Sequence, residues 1–119
     1  MLIHDGLRVF INNEIINDNI EECKKHNAVV TAVKETNSLS VINDNGVSTY
    51  LDREKVYIHQ TPQTFLGSII KKSYLNGNPY TDDANLVASK GYNVHIVNGS
   101  YDNIKITTNS DLSNLIKLG

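Results

Sequence analysis

The chain has 119 residues, 11 Lys and Arg against 13 Asp and Glu for a formal net charge of −2, and 39% hydrophobic residues. This length suits one domain with a modest core, and the near-neutral charge offers no electrostatic footprint for nucleic acid or an anionic membrane surface. No apolar stretch reaches the roughly 18–20 residues that span a bilayer, Met1–Asp5 lacks a basic leader region, and the lone Cys23 can make neither an internal disulfide nor a thiolate metal site, so a soluble cytoplasmic protein is expected.

Leu2 and Ile3 read as the end of a strand. Ile11, Ile15, Ile16, Ile20 and Cys23 then recur near helical spacing, with Asn12 or Asn13 to cap, Glu14 in the first turn and Lys24, Lys25 and His26 at the end. On such a helix Cys23 reads as a small semi-buried side chain rather than a nucleophile. Ala28–Val33 is a short, β-branched apolar run, expected as a buried strand of a mostly parallel sheet. Ser38–Ile42 and Val47–Leu51 alternate around Asn43-Asp44-Asn45-Gly46, which predicts a β-hairpin, polar on one face and suited to a projecting arm.

Val56–Gln60 predicts a further strand running directly into a helix, with Thr61 as cap, Pro62 at the first helical position, and Phe65, Ile69, Ile70 and Tyr74 continuing it to Asn76-Gly77-Asn78-Pro79. Thr81-Asp82-Asp83-Ala84 starts a helix through Leu86 and Val87 that Gly91 closes, and Val94–Val97 is the next strand. Asn103–Thr107 is expected as a last short strand, and Asn109 or Ser110 as the cap of a final helix with Leu112, Leu115 and Ile116 on its apolar face. This order is α/β with an antiparallel excursion.

Asp5 follows a strand end, where ligands bind in open α/β sheets and a carboxylate can hold a divalent metal, and Arg8 could pair with a phosphate. On these residues alone, an Asp-Gly turn and a surface ion pair account for the same pattern, and they account for it better. Arg53 and Lys105 sit at element ends, where cations can reach a shared anion or merely face solvent. Asp82 and Asp83 suit the electrostatics of a helix N-terminus better than a metal site. His4, His26, His59 and His95 include no pair at i, i+4, and neither a Gly-rich phosphate loop nor a G-x-S-x-G elbow can be written from this sequence.

In order, His4-Asp5-Gly6-Leu7-Arg8, Glu35-Thr36, Asp52-Arg53, Gln60-Thr61-Pro62-Gln63-Thr64-Phe65, Thr81-Asp82-Asp83-Ala84 and Asn103-Ile104-Lys105-Ile106-Thr107-Thr108 with Asp111-Leu112 resemble the cytidylyltransferases that act on sugar-alcohol phosphates. The resemblance covers almost the whole chain. It implies a Rossmann-like nucleotidyltransferase domain, three-layered, that transfers a cytidylyl group from CTP to a polyol phosphate and releases pyrophosphate. It further implies that Asp5 binds a divalent metal such as Mg2+, that Gly6, Arg8, Thr36 and Thr61 contact substrate, and that Arg53 and Lys105 act as catalytic cations. Thr36 and Arg53 would come from the hairpin arm, at about residues 37–53, of a neighbouring subunit in a homodimer. Val9 stands where the family usually has proline, and Glu35 where an aspartate precedes Thr36. His4-Asp5-Gly6 leans toward the ribitol-phosphate enzymes and Thr81-Asp82-Asp83-Ala84 toward the methylerythritol-phosphate enzymes.

The same resemblance implies an N-terminal half with a Gly-rich CTP-binding loop that these residues do not contain. The chain is then expected to be the C-terminal half of the domain, supplying the polyol-phosphate side and inactive alone; the alternative is a non-catalytic dimerisation or binding module derived from the family. Ala28–Val33 and the first strand are expected to lack sheet neighbours and to be covered by intermolecular packing.

Overall fold

The computed structural model describes the backbone of residues 1–118 and the side chains of residues 1–47 and 49–113. Helix α1 (Asn13–His26) begins where the capping pattern places it: Asn12 accepts from the Ile15 N–H at 2.8 Å, and the helix ends at Asn27 in the left-handed conformation, φ 69°. Its buried side chains are Ile15 and Asn19, one turn apart, while Ile20, expected on the apolar face, is 40% exposed. Asn19 is tolerated inside because every polar atom of its amide is used. Its Nδ2 donates to Ile15 O (2.9 Å) and Thr31 Oγ1 (2.8 Å), and its Oδ1 accepts from the Thr64 hydroxyl (2.9 Å).

Strand β2 (Ala28–Lys34) is the centre of a four-stranded sheet with β1 (Leu2–Ile3), β5 (Tyr57–Phe65) and β6 (His95–Asn98) in the order β1-β5-β2-β6. The α/β class is as expected, but the described sheet is not mostly parallel: β2–β6 is parallel while β1–β5 and β2–β5 are antiparallel, because the chain returns from the hairpin alongside β2 in the opposite direction. The run Ala28–Val33 therefore has a hydrogen-bonded neighbour on each side, contrary to expectation, and is buried throughout. Alternation puts Ala28 and Val30 on one face with Phe65, Ile70, Ala84 and Val87, and Thr31 on the other face against Asn19 of α1. Helices α2 (Gly67–Ser73) and α3 (Asp83–Ser89) thus cover one face and α1 the other, a three-layer arrangement.

The Thr61-Pro62 segment departs from its expected helical role. It continues β5, the Thr61–Pro62 peptide is cis, and α2 begins only at Gly67, so Phe65 is a strand residue. Between the Val30–Gln63 and Ala32–His59 pairs, Thr31 alone faces Gln60, Thr61 and Pro62. Such a bulge accepts a residue with no backbone N–H, and the Pro62 carbonyl is satisfied by the Thr31 hydroxyl at 2.6 Å. Local helix-start chemistry yields here to pairing with a strand about thirty residues earlier.

Strands β3 (Leu39–Asn43) and β4 (Gly46–Leu51) form the expected hairpin as a separate two-stranded sheet; the chain reverses at Asp44-Asn45, Gly46 pairs with Asn43 at φ 111°, and Val41, Ile42, Val47 and Tyr50 are exposed. Asn103–Thr107 is not a strand; it is an extended segment held by single bonds such as Ile106 N–H to Leu7 O at 3.1 Å. The final helix α4 (Asn109–Leu118) is capped one residue earlier than expected: Thr108 Oγ1 accepts from Asp111 N–H (3.0 Å), and Asp111 Oδ2 accepts in return from Thr108 N–H (3.2 Å). Leu115 and Ile116 lie outside the described side chains.

Candidate active site

The chain leaves β1 into a tight turn at His4–Arg8. Asp5 Oδ1 accepts from Leu7 N–H at 3.0 Å and its carbonyl from Arg8 N–H at 3.0 Å, a turn that sets Asp5 and Arg8 beside Thr61 in the middle of β5. Gly6 lies in this turn with open space where a Cβ would stand. Thr61 Oγ1 accepts from Asp5 N–H at 2.9 Å, so the residue expected to cap a helix instead fixes the loop. His4 bridges the same loop, with Nε2 3.0 Å from Arg8 O and Nδ1 3.1 Å from Thr61 Oγ1. A carbonyl can only accept, so Nε2 carries the proton and Nδ1 receives the Thr61 hydroxyl.

Arg8 is not a surface ion pair. Its Nη1 donates to the carbonyl of Asn103 at 2.7 Å, and the fully buried Asn103 donates from Nδ2 to Thr61 O (2.9 Å) and Gln60 Oε1 (3.2 Å). Gln60 in turn donates to Ser100 O at 2.9 Å. Gly99 makes this packing possible, since a Cβ there would collide with Gln60 Oε1 and lie 2.9 Å from Thr31 Cγ2. Lys105 follows on the same segment and its Nζ stands 3.3 Å from Asp5 Oδ2.

Asp5, Arg8, Thr61 and Lys105 thus share one open cleft of about 440 Å3. Thr36 and Arg53 do not line it: Arg53 Nη1 donates to Thr36 O at 3.2 Å at the foot of the hairpin. The Leu7 N–H holds the Asp5 carboxyl below its ordinary range; burial opposes this and Lys105 adds to it. Asp5 is therefore a carboxylate that stays ionised at neutral pH. Among the described residues no group of three or more His, Cys, Asp or Glu converges as a metal cage; the Asp5 carboxylate could contribute one oxygen to a hard divalent cation.

The cleft has a second wall that the sequence reading missed, formed by His59 and the N-terminus of α3. Asp82 caps α3 through Asn85 N–H (2.8 Å), as helix electrostatics led us to expect, but its Oδ2 also takes His59 Nδ1 at 2.6 Å and Gln63 Nε2 at 3.3 Å. The available signal was the period-2 spacing of Tyr57 and His59, which puts them on one face of β5 before the bulge. Burial pushes the Asp82 carboxyl up, yet the hydrogen bonds from His59, Asn85 and Gln63 outweigh it and hold the group below its ordinary value. Its contribution to stability is full above the unfolded value of about 3.9 and is lost as pH falls through the lower native value. Asp82→Asn should therefore flatten the acid limb of a thermal-stability profile below about pH 4; an unchanged limb would discount the pair.

Cys23 is no activated nucleophile, because burial pushes its thiol up. No described helix is long and apolar enough to cross a membrane. The family model for IspD, 2-C-methyl-D-erythritol 4-phosphate cytidylyltransferase, matches residues 1–115. The chain belongs to this cytidylyltransferase family. Similar cytidylyltransferases include that of Thermosipho africanus, 40% identical over 116 residues covering 94% of this chain and 51% of the relative, and that of Thermosipho melanesiensis, 43% identical over 115 residues with the same coverage. The crystal structure of 4-diphosphocytidyl-2C-methyl-D-erythritol synthase from Anaerococcus prevotii superimposes with a TM-score of 0.87 at 34% identity, over 99% of this chain and 58% of that one. The chain spans about half the length of the curated cytidylyltransferases it matches.

Proposed function

We propose that these residues form the polyol-phosphate side of a cytoplasmic, homodimeric cytidylyltransferase that transfers CMP from CTP to 2-C-methyl-D-erythritol 4-phosphate. The observation that carries this reading is the convergence of Asp5, Arg8, Thr61 and Lys105 on one cleft of a chain whose relatives bear that name. Arg8 and Lys105 neutralise the substrate phosphate, one as a fork anchored on Asn103 and the other as a point charge beside Asp5. Thr61 fixes the loop that presents Asp5 and Arg8. Asp5 would hold the divalent cation, which supplies charge neutralisation when bound. With its phosphate thus fixed, the substrate presents an oxygen for in-line attack on the α-phosphorus of CTP, and positioning carries the catalysis.

No Gly-rich phosphate loop lies within the 119 residues, so the CTP side belongs to sequence outside them, and we infer that the chain alone is inactive. The exposed hairpin offers Thr36 and Arg53 to a neighbouring subunit. Calorimetric titration should show the chain binding methylerythritol 4-phosphate more tightly than ribitol 5-phosphate. Pyrophosphate release from CTP should appear only on co-expression with the complementary half of a family member, and Arg53→Ala should impair that assembly without unfolding the chain. Failure to bind either polyol phosphate would overturn the reading, and a monomer in size exclusion at micromolar concentration would remove the dimer from it.

A further inference from the structure

We propose that His59, oriented by Asp82, is a specificity-determining contact that reads a hydroxyl of the polyol phosphate and so distinguishes it from bare phosphate. This role rests on the preceding reading of the cleft and adds to it a residue that the family resemblance does not assign.

The inference begins with the strand. His59 lies at the start of the β5 bulge and Thr61 within it, and both line the cleft together with Gln60. Asp82 holds His59 on the α3 wall of the cleft, whereas Arg8 and Lys105 stand with Asp5 at the turn after β1.

The ring is fixed as well as exposed. Asp82 holds Nδ1 at 2.6 Å, and Asp82 is itself pinned by Asn85 N–H at 2.8 Å and by Gln63 at 3.3 Å. Gln63 also accepts from Ala84 N–H at 2.9 Å, which ties the start of α3 to β5 and stops the carboxylate from drifting. An ionised carboxylate only accepts, so Nδ1 is the donor in this pair. Nε2 has no hydrogen-bond partner among the described residues, and the side chain is 31% exposed on the cleft.

The tautomer decides what the ring can recognise. With the single ring proton placed on Nδ1 by Asp82, Nε2 carries a lone pair that accepts from a hydroxyl and cannot donate to an unprotonated phosphate oxygen. The cleft therefore presents donors and positive charge at one end and a fixed acceptor at the other. A ligand with a phosphate at one terminus and hydroxyls along its chain matches both ends; inorganic phosphate matches one. Asp82 is a positioning residue in this scheme, acting only through the ring.

Titration of the chain with inorganic phosphate and with 2-C-methyl-D-erythritol 4-phosphate separates the two ends. His59→Ala should weaken the polyol phosphate by about five- to tenfold and leave inorganic phosphate unchanged. His59→Gln, which restores an acceptor near Nε2, should recover part of the loss. Asp82→Asn keeps a good helix cap but allows the ring to take the other tautomer, and should lose the same selectivity with α3 intact by circular dichroism. Equal weakening of both probes by His59→Ala, or of neither, would overturn the role of His59 alone. Wild-type protein with no preference for the polyol phosphate would overturn the preceding reading together with this one.

Discussion

Replacing Asn19 by Ala is expected to cost about 3 kcal/mol of folding stability, since burying hydroxyls without partners costs roughly 1–3 kcal/mol each and a cavity adds to it. Asn19 is completely buried and joins three elements: α1 through Ile15 O, β2 through Thr31 and β5 through Thr64. Its removal leaves the Thr64 hydroxyl without its acceptor and Thr31 without a donor, in a layer where no solvent replaces them. Against a total of about 5–15 kcal/mol for a domain of this kind, that is a large share. Urea denaturation should show a lower midpoint at unchanged slope. A loss below about 1 kcal/mol would mean that the three hydroxyl and amide groups find other partners.

Lys105→Ala is expected to weaken phosphate binding by about a hundredfold, the equivalent of a charge-assisted hydrogen bond at the upper end of its 1.5–3 kcal/mol range. The effect is large because Lys105 serves two partners. On the proposed function it would give the phosphate a charge, and at 3.3 Å it offsets the Asp5 carboxylate, which the Leu7 N–H keeps ionised. Without the ammonium, Asp5 faces an incoming phosphate uncompensated. Lys105→Arg should retain most of the affinity in a charge-only role, and raising the ionic strength should narrow the gap between wild type and Ala. A decline under threefold would show that Arg8 carries the anion by itself.

What the sequence disclosed was decided by whether the relevant partners are local. The Asn12 cap, the hairpin around Asn43–Gly46 and the stop at Gly91 each depend on a few neighbouring residues and fall where expected, whereas the cap of α3 is Asp82 itself and the hairpin reverses at Asp44-Asn45. Thr61-Pro62 misled because the same dipeptide serves a helix start and a strand bulge, and only pairing with Val30 and Ala32 distinguishes the two. Asn103–Thr107 has strand-like alternation but no strand beside it to pair with among the described residues. In the site, Asp5, Arg8, Thr61 and Lys105 were legible through their motifs and do converge. His59 and Asp82 are 23 positions apart and share no motif, so their pairing emerges only when α3 is set against β5. Asn19 and Asn103 are polar letters in unremarkable contexts, and burial at these positions depends on backbone carbonyls and hydroxyls supplied from far along the chain.

The central position of β2 also has a consequence for biosynthesis. Both of its hydrogen-bonded neighbours come later in the chain, β5 from Tyr57 and β6 from His95. At a synthesis rate of about 5–20 residues per second, roughly 3–12 s separate the end of Ala28–Lys34 from the start of β6. During that interval the most apolar run of the nascent chain has no partner on one side and, for part of it, none on either. Slowing translation after residue 34 should therefore raise aggregation more than slowing it after residue 98.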